Sequence, residues 1–327
     1  METMDITYIA EIGSNHNGDL RLALKMVDAA LDAKADYIKF QIYHIDKFVD
    51  RNSIYYDDFI SESLSFEAFE ELKDHIEERG GKFLATPFDE DSMSFLHRMG
   101  VDTVKIASGD MNNTQLLQQA VGLGKKLIIS VGGASLDEID CMVDFLEKRK
   151  AVFSILHCVI NYPAGFDELN LRFIRTLKKR YHHAIGFSDH SPGIEASLAA
   201  IALGAEIIEK HFTIDRSLPG GDNEMSILPE EFARLKKEGT HIKAALGSEE
   251  KSLSDGEEKI KKLIRRKFAA RRDISQGSAI EDADLLLLRV NDYNEGYDAD
   301  RYAFLIGKRL RRHIPQGKII TQSDING

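Results

Sequence analysis

The stretch Thr7-Tyr-Ile-Ala-Glu-Ile-Gly-Ser-Asn-His-Asn-Gly-Asp-Leu-Arg-Leu-Ala-Leu-Lys-Met-Val-Asp-Ala-Ala-Leu-Asp-Ala33 contains one strand, one polar turn and one helix. Thr7–Ile12 is short, apolar and β-rich, whereas Leu20–Ala33 places apolar residues every three or four positions, as an amphipathic helix requires. The same unit recurs. Further strand-like runs are Tyr37–Ile42, Lys82–Thr86, Thr103–Ala107, Lys126–Ser130, Val152–His157, Ala184–Ser188 and Glu206–Phe212, and helical periodicity returns between them, for example over Phe66–Arg79. Eight strand–helix units in about 230 residues predict a closed (β/α)8 barrel of the TIM type. No strand runs into a GxGxxG turn, so an open doubly wound sheet is the weaker fit.

The whole chain has 327 residues, 43% of them hydrophobic and 30% charged, enough to build a sizeable core. Lys and Arg number 43 against 54 Asp and Glu, a formal charge of −11, which argues against a nucleic-acid binder because phosphate backbones need a basic face. Two cysteines, Cys141 and Cys158, make neither a disulfide framework nor a CxxC metal site. The first residues lack the basic and apolar regions of a signal peptide, and no apolar run reaches the roughly eighteen residues of a membrane span. The expectation is a cytoplasmic protein with no membrane partner.

A long helix is expected from about Leu228 to Ala245, followed by the polar, glycine-bounded Gly247–Gly256. Beyond it, Lys259–Arg272 is dense in Lys and Arg, and two turns, Ile274-Ser-Gln-Gly277 and Ile314-Pro-Gln-Gly317, share one frame. The chain therefore divides into a catalytic barrel over 1–246, a linker over 247–264 and a small loop-rich domain over 265–327.

In a barrel, the C-terminal ends of the strands and the loops that follow line the active site. Here those ends carry Glu11, Lys39 and Gln41, Thr86, Lys105 with Ser108 and Asp110, Ser130, Asn161 and Tyr162, His190, and His211. Two lysines inside β-runs are the sharpest anomaly; together they suit an anion in the barrel mouth, with Ser108, Ser130 and the glycines near Gly132 as hydrogen-bond donors to a phosphate. No GxxxxGK[ST] string is present, so this is not a P-loop. His190 and His211 end adjacent strands and suit a divalent metal such as Mn²⁺, Zn²⁺ or Fe²⁺. Asp222, in the turn-rich loop after the eighth strand, is placed to meet a sugar hydroxyl or assist a proton transfer.

Read together, Ala10-Glu-Ile-Gly-Ser-Asn-His-Asn-Gly18, Ile38-Lys-Phe-Gln41, Ala85-Thr-Pro-Phe88, Lys105-Ile-Ala-Ser-Gly-Asp110, Gly186-Phe-Ser-Asp-His190 and Glu209-Lys-His-Phe-Thr213 resemble the sialic acid (N-acetylneuraminate) synthase family. That family includes the legionaminic and pseudaminic acid synthases. The tail, from Phe268-Ala-Ala-Arg-Arg-Asp-Ile274 to Ile325, is similar to its antifreeze-like (SAF, β-clip) domain.

The resemblance implies condensation of phosphoenolpyruvate with an open-chain amino sugar to a nine-carbon 2-keto acid and phosphate. It implies phosphoenolpyruvate contacts from Lys39 and Lys105, phosphate contacts from Ser108 and Ser130, a metal, Mn²⁺ by preference with Mg²⁺ or Co²⁺ as alternatives, on His190 and His211, and an acid at Glu11. Gln41, Asp110, Tyr162 and Asp222 would contact the sugar or shape its pocket. It also implies a domain-swapped homodimer in which Arg289 reads the sugar's acyl group. Three departures stand out. Val159-Ile160 replaces hydroxyl or amide residues before Asn161-Tyr-Pro163; Val131 follows Ser130 where Thr is common; and Gly221-Asp-Asn223 and Leu288-Arg-Val-Asn291 differ from the family's sugar-side strings. They leave the acceptor open, a phosphorylated sugar included. A different metal-dependent sugar isomerase or hydrolase, or a binding protein without turnover, is the competing reading.

Overall fold

The computed structural model describes residues 6–220, 222–290 and 295–325. Eight parallel strands, β1 (Thr7–Gly13), β2 (Tyr37–Ile42), β3 (Lys82–Pro87), β4 (Thr103–Ile106), β5 (Lys126–Ser130), β6 (Phe153–Cys158), β7 (Ala184–Asp189) and β8 (Ile207–His211), form one sheet. Its order is β3-β2-β1-β8-β7-β6-β5-β4. The two end strands β3 and β4 lie against each other, which brings the sheet nearly to closure. The expected barrel is the observed one, with strand bounds shifted by a residue at some ends.

Strand periodicity explains how the barrel is filled. Ile9, Leu84, Ile128, Leu156 and Ile207 form a separate apolar cluster inside it. The alternate residues Tyr8, Ala10, Ile12, Ile38, Phe40 and Ile208 join the larger core between sheet and helices. Gly186 in β7 is required by this packing: a Cβ there would stand 2.4 Å from Leu156 Cδ2 and 2.4 Å from the Ile207 carbonyl. Two residues further along β1, β2 and β8, the inward positions change character from apolar to charged. Ile9 gives way to Glu11, Tyr37 to Lys39 and Ile207 to Glu209. The apolar layer thus forms the floor of a polar mouth.

The helices that return the chain are fixed at their starts. Asp19 accepts from the Arg21 and Leu22 amides to cap Leu20–Asp32, and Ser135 with Glu138 forms a reciprocal capping box for Leu136–Glu147. The long helix after β8 runs over Pro229–Leu246.

The chain divides into two compact units, up to Gly247 and from Ser248 onward. The segment expected as a linker carries a helix, Asp255–Ile264. Ser254 caps it with Glu257, and Gly256, expected to bound the linker, sits instead in the helix's first turn, where glycine costs least. In the second unit β9 (Arg266–Ala270) pairs antiparallel with β10 (Leu285–Arg289). Around them the chain repeats itself. Arg272 Nε donates to Asp284 (2.6 Å) and Arg312 Nε to Asp324 (2.5 Å), and Ile274 bridges Ile314 between the two copies of the turn. Phe268, Ile280, Leu305, Leu310 and Ile320 are among the buried residues of its core.

Candidate active site

A cavity of about 190 Å³ opens at the C-terminal ends of the barrel strands. Glu11, Lys39, Gln41, Thr86, Lys105, Ser108, Ser130, Tyr162, His190 and His211 line it, joined by Glu209, Ser188, Cys158 and Ile160. Of the fourteen residues singled out from sequence, ten share this one wall. Asp222 lines a neighbouring cavity that also reaches Tyr162.

The remaining three lie elsewhere. Asn161 is exposed, donates its amide to Glu168 (3.0 Å) in its own loop, and is not among the cavity walls. Asp110 closes the short turn after β4 and accepts from the Asn113 amide (3.0 Å); it is not among the cavity walls. Arg289 ends β10 in the second unit and is exposed.

Inside the cavity the charges form an alternating box. Lys39 Nζ is 2.8 Å from Glu11 Oε2 and 3.5 Å from Glu209 Oε2. Lys105 Nζ donates to Ser130 Oγ (2.6 Å) and to the Ile106 carbonyl (2.9 Å) and stands 3.8 Å from Glu209 Oε1. Ser188 Oγ donates to Glu209 (2.8 Å). All four charged groups are buried. Burial pushes the Glu11 carboxyl up, with Lys39 opposing and Glu209 adding to the rise. Burial acts the same way on Glu209, but Lys105 and Lys39 outweigh it and hold that carboxyl low. The two acids are thereby driven apart in acidity, one toward a proton carrier and the other toward a fixed anion. Burial lowers the Lys105 amine, against the attraction of Glu209, while Glu11 and Glu209 overcome burial at Lys39 and raise it.

Glu209 is not among the fourteen residues singled out from sequence. The signal was available: a strand alternates faces, so Glu209 must share the inner face with His211 while Lys210 points outward.

The glycines beside Ser130 act through their backbone. Gly132 N–H donates to Ser108 Oγ (3.0 Å). A Cβ on Gly132 would lie 2.7 Å from Ile160 Cγ2, and one on Gly133 would lie 2.8 Å from Ile160 Cδ1. Ile160 therefore roofs this turn. Its neighbour Val159 contributes its carbonyl, which accepts from His190 Nδ1 (2.7 Å). The apolar pair that departs from the family pattern thus serves the site by backbone and by shape.

His190 and His211 face one another with ring centroids 5.3 Å apart, and Tyr162 stacks on His190 at 4.0 Å. Burial, then the neighbouring His211, pushes the His190 imidazole down to about 4; burial, then Lys39, pushes His211 down to about 3. Both rings are neutral at pH 7, the form that ligates a metal. The Val159 carbonyl fixes the His190 ring through Nδ1, the outer partner that metal-bound imidazoles normally have, and leaves its other nitrogen for a ligand. Among the described residues His211 Nδ1 is buried without a hydrogen-bond partner, and Asp222 Oδ2 stands 3.3 Å from it. These observations fit a divalent ion on two imidazoles. Among the described residues no group of three His, Cys, Asp or Glu converges on one point, so water or substrate would complete the shell.

A family model described as the NeuB family matches residues 26–251, and one described as the SAF domain matches residues 265–326. The chain belongs to the NeuB family. It is 36% identical to the N,N'-diacetyllegionaminic acid synthase of Legionella pneumophila, over 96% of this chain and 93% of that protein. The protein of the same name from Campylobacter jejuni is 34% identical, over 96% and 98%. Among solved structures, the N-acetylneuraminic acid synthetase of Leptospira borgpetersenii, in complex with citrate, superposes with a TM-score of 0.77 at 42% identity, covering 79% of this chain and 90% of that one. This NeuB-family chain is an enzyme of the carbon–carbon bond-forming transferase class.

Proposed function

We propose that this chain condenses phosphoenolpyruvate with the open-chain form of an N-acylated amino sugar, giving a nine-carbon 2-keto sugar acid and inorganic phosphate. The observation that carries the reading is the meeting of two buried ammonium groups and two neutral imidazoles in one cavity. Enol phosphate and aldehyde then find complementary partners side by side.

Lys39 and Lys105 neutralise the substrate's carboxylate and phosphate, in place of part of the charge that Glu11 and Glu209 now balance. Ser108, Ser130 and the Gly132 turn surround the phosphate, and the buried Thr86 hydroxyl, which has no hydrogen-bond partner among the described residues, is available to substrate. His190 and His211 hold the metal, Mn²⁺ in our assignment; when bound it polarises the acceptor's aldehyde oxygen. Carbon C3 of phosphoenolpyruvate forms the new bond to the aldehyde carbon, whose oxygen takes up a proton. Positive charge develops at C2, faced by the fixed anion Glu209. Water adds at C2 and gives its proton to Glu11, whose raised affinity for protons suits the task. Collapse of the tetrahedral centre breaks the C2–O bond and releases phosphate. Gln41, Tyr162 and Asp222 line the acceptor's side.

We further propose a homodimer in which Arg289 of a second copy recognises the acyl group, on the strength of the family likeness. Phosphoenolpyruvate is a cytoplasmic metabolite, and the reaction is assigned there. Among the described residues no helix is long and apolar enough to cross a membrane.

The test is a mass-spectrometric screen of 2-acetamido and 2,4-diacetamido hexoses with phosphoenolpyruvate and Mn²⁺. The expected product is a keto acid three carbons longer than the sugar, with phosphate released only when sugar is present. Sugar turnover without phosphoenolpyruvate would overturn the reading in favour of an isomerase or hydrolase.

A further inference from the structure

Glu11 and His211 are register partners on β1 and β8, and the turns that follow them are tied together by one buried amide. Asn15 lies in the turn after β1, where its N–H donates to the Ile12 carbonyl (2.9 Å). Its Nδ2 donates to the Phe212 carbonyl (3.0 Å) and to Ser226 Oγ (2.9 Å), and its Oδ1 accepts from the Asp222 amide (2.9 Å). Ser226 Oγ in turn donates to the Asp222 carbonyl (2.7 Å). Asn223 Nδ2 reaches back to the Asn15 carbonyl (3.4 Å), and Thr213 Oγ1 donates to Asn223 Oδ1 (2.6 Å). Asn15, Thr213, Asn223 and Ser226 are all buried. The Asn15 side chain thus uses two donors and one acceptor at once, a set that neither a carboxylate nor a hydroxyl supplies.

What this clasp delivers is the Asp222 side chain. Asp222 Oδ2 stands 3.3 Å from His211 Nδ1, the place that the Val159 carbonyl takes at His190 Nδ1 (2.7 Å). The stretch from Thr213 to Leu228 holds no helix or named strand among its described residues, so bonds to a neighbouring turn must fix where its carboxylate points. Asn15 itself lines neither the inner cavity nor the one that Asp222 lines. We propose that Asn15 is a positioning residue: it holds Asp222 against His211 and thereby orients the imidazole that takes the metal. Metal-binding imidazoles normally keep an outer partner on their second nitrogen, and losing that partner costs about 10- to 100-fold in affinity or activity. The inference deepens the synthase reading above by adding the support of its metal and acceptor side.

The experiment titrates Mn²⁺ into the full-length protein as wild type, Asn15→Ala, Asp222→Asn and the double variant, and assays each for the extended keto acid. Asn15→Ala should bind Mn²⁺ about 10-fold more weakly. It should raise KM for the acceptor while KM for phosphoenolpyruvate stays within about 2-fold, because the bonds of Lys105, Ser108 and Ser130 do not run to Asn15. The double variant should bind Mn²⁺ no more weakly than Asp222→Asn alone, since one residue acts through the other. Losses that multiply in the double variant, or wild-type Mn²⁺ affinity in Asn15→Ala, overturn the inference. Should Asn15→Ala fail to fold, Ser226→Ala replaces it in the cycle, because it removes the hydroxyl shared by Asn15 and Asp222. About a 3-fold weakening that disappears in the Asp222→Asn background is then expected, and no weakening, or one that persists there, overturns the inference. If the wild type extends no sugar, the synthase reading falls while the titrations still decide the part played by Asn15.

Discussion

Asp189 and Lys210 form an ion pair of 3.1 Å with no exposed surface, one residue before His190 and one residue before His211. They are register partners on β7 and β8, and alternation sends their side chains outward while the two imidazoles point into the mouth. Asp189 also accepts from the Ser191 amide and from the hydroxyls of Ser191 and Ser197, and Lys210 donates to the Ser191 carbonyl. The strands that carry the proposed metal ligands are stapled from behind.

Replacing Asp189 by Asn leaves Lys210 buried opposite a neutral amide. Breaking a buried pair by one partner costs about 3–5 kcal/mol, so urea melts should show a loss of that order. Direct Mn²⁺ titration should show weaker binding as well, by about 10-fold or more, as for other outer supports of metal ligands. A variant with unaltered stability and unaltered Mn²⁺ affinity would show the pair to be idle.

Lys105→Met is expected to remove phosphate release almost completely, by a factor of about 100 to 1,000, the range seen when one electrostatic contact to a transition state is deleted. The same substitution strips Ser130 of its donor and Glu209 of one counter-ion. Glu209→Gln is the informative companion. It leaves Lys39 and Lys105 to share Glu11 alone, so turnover should fall although neither proposed phosphate contact has been touched. Steady-state assays of both variants at saturating acceptor separate the two effects.

Much of this site was legible in the sequence because strand periodicity and polar strand ends are local signals. Lys39 and Lys105 each stand out as charged residues in apolar runs, and His190 and His211 close the ends of adjacent strands. What was not legible depends on direction. Asn161 sits beside Tyr162 in sequence, yet its amide turns to Glu168 because the loop after β6 folds on itself. Glu209 was hidden among a run of charged neighbours, and Val159 acts through a carbonyl that no side-chain reading reveals. The helix Asp255–Ile264 was missed because its glycine falls in the first turn, where it does not interrupt the ladder.

Removing divalent metal by chelation should abolish turnover, and Mn²⁺ should restore it. His211→Ala should lose Mn²⁺ binding in direct titration at pH 7 while the chain still unfolds cooperatively on heating, since among the described residues its Nδ1 has no hydrogen bond to forfeit, only the 3.3 Å approach of Asp222. Retained stoichiometric Mn²⁺ binding in His190→Ala and His211→Ala alike would rule these residues out as ligands.

The second unit should be acid-labile through Asp324. Burial would raise this carboxyl, but the Thr321 hydroxyl and amide and the Arg312 guanidinium outweigh it and hold it below the ordinary carboxylate value. A depressed folded value means that stability is fully present above the unfolded value and is lost as pH falls through the folded one. Denaturant melts of the full chain should therefore show the transition of the second unit weakening at the acid end. Asp324→Asn should be less stable at pH 7 and should flatten that acid limb.

The Gly132 turn offers the sharpest test of the cavity's shape. Gly132→Ala would place a Cβ 2.7 Å from Ile160 Cγ2, 3.0 Å from Ser108 Oγ and 3.1 Å from Cys158 Sγ, contacts no real Cβ tolerates together. Something must move, and the exposed Ile160 side chain is the freest of the three. If Ile160 alone yields, Gly132→Ala is mild and phosphoenolpyruvate binds nearly as before. If Ser108 is displaced, its bond from the Gly132 amide is lost, and KM for phosphoenolpyruvate should rise by about 10-fold for one lost hydrogen bond. We expect the second outcome, because the Ser108 hydroxyl and Cys158 are held in the wall and cannot both retreat. Adding Ile160→Ala to Gly132→Ala should then recover only part of the loss. Full recovery in the double variant would place the whole conflict at Ile160 and take Ser108 out of the phosphate cradle.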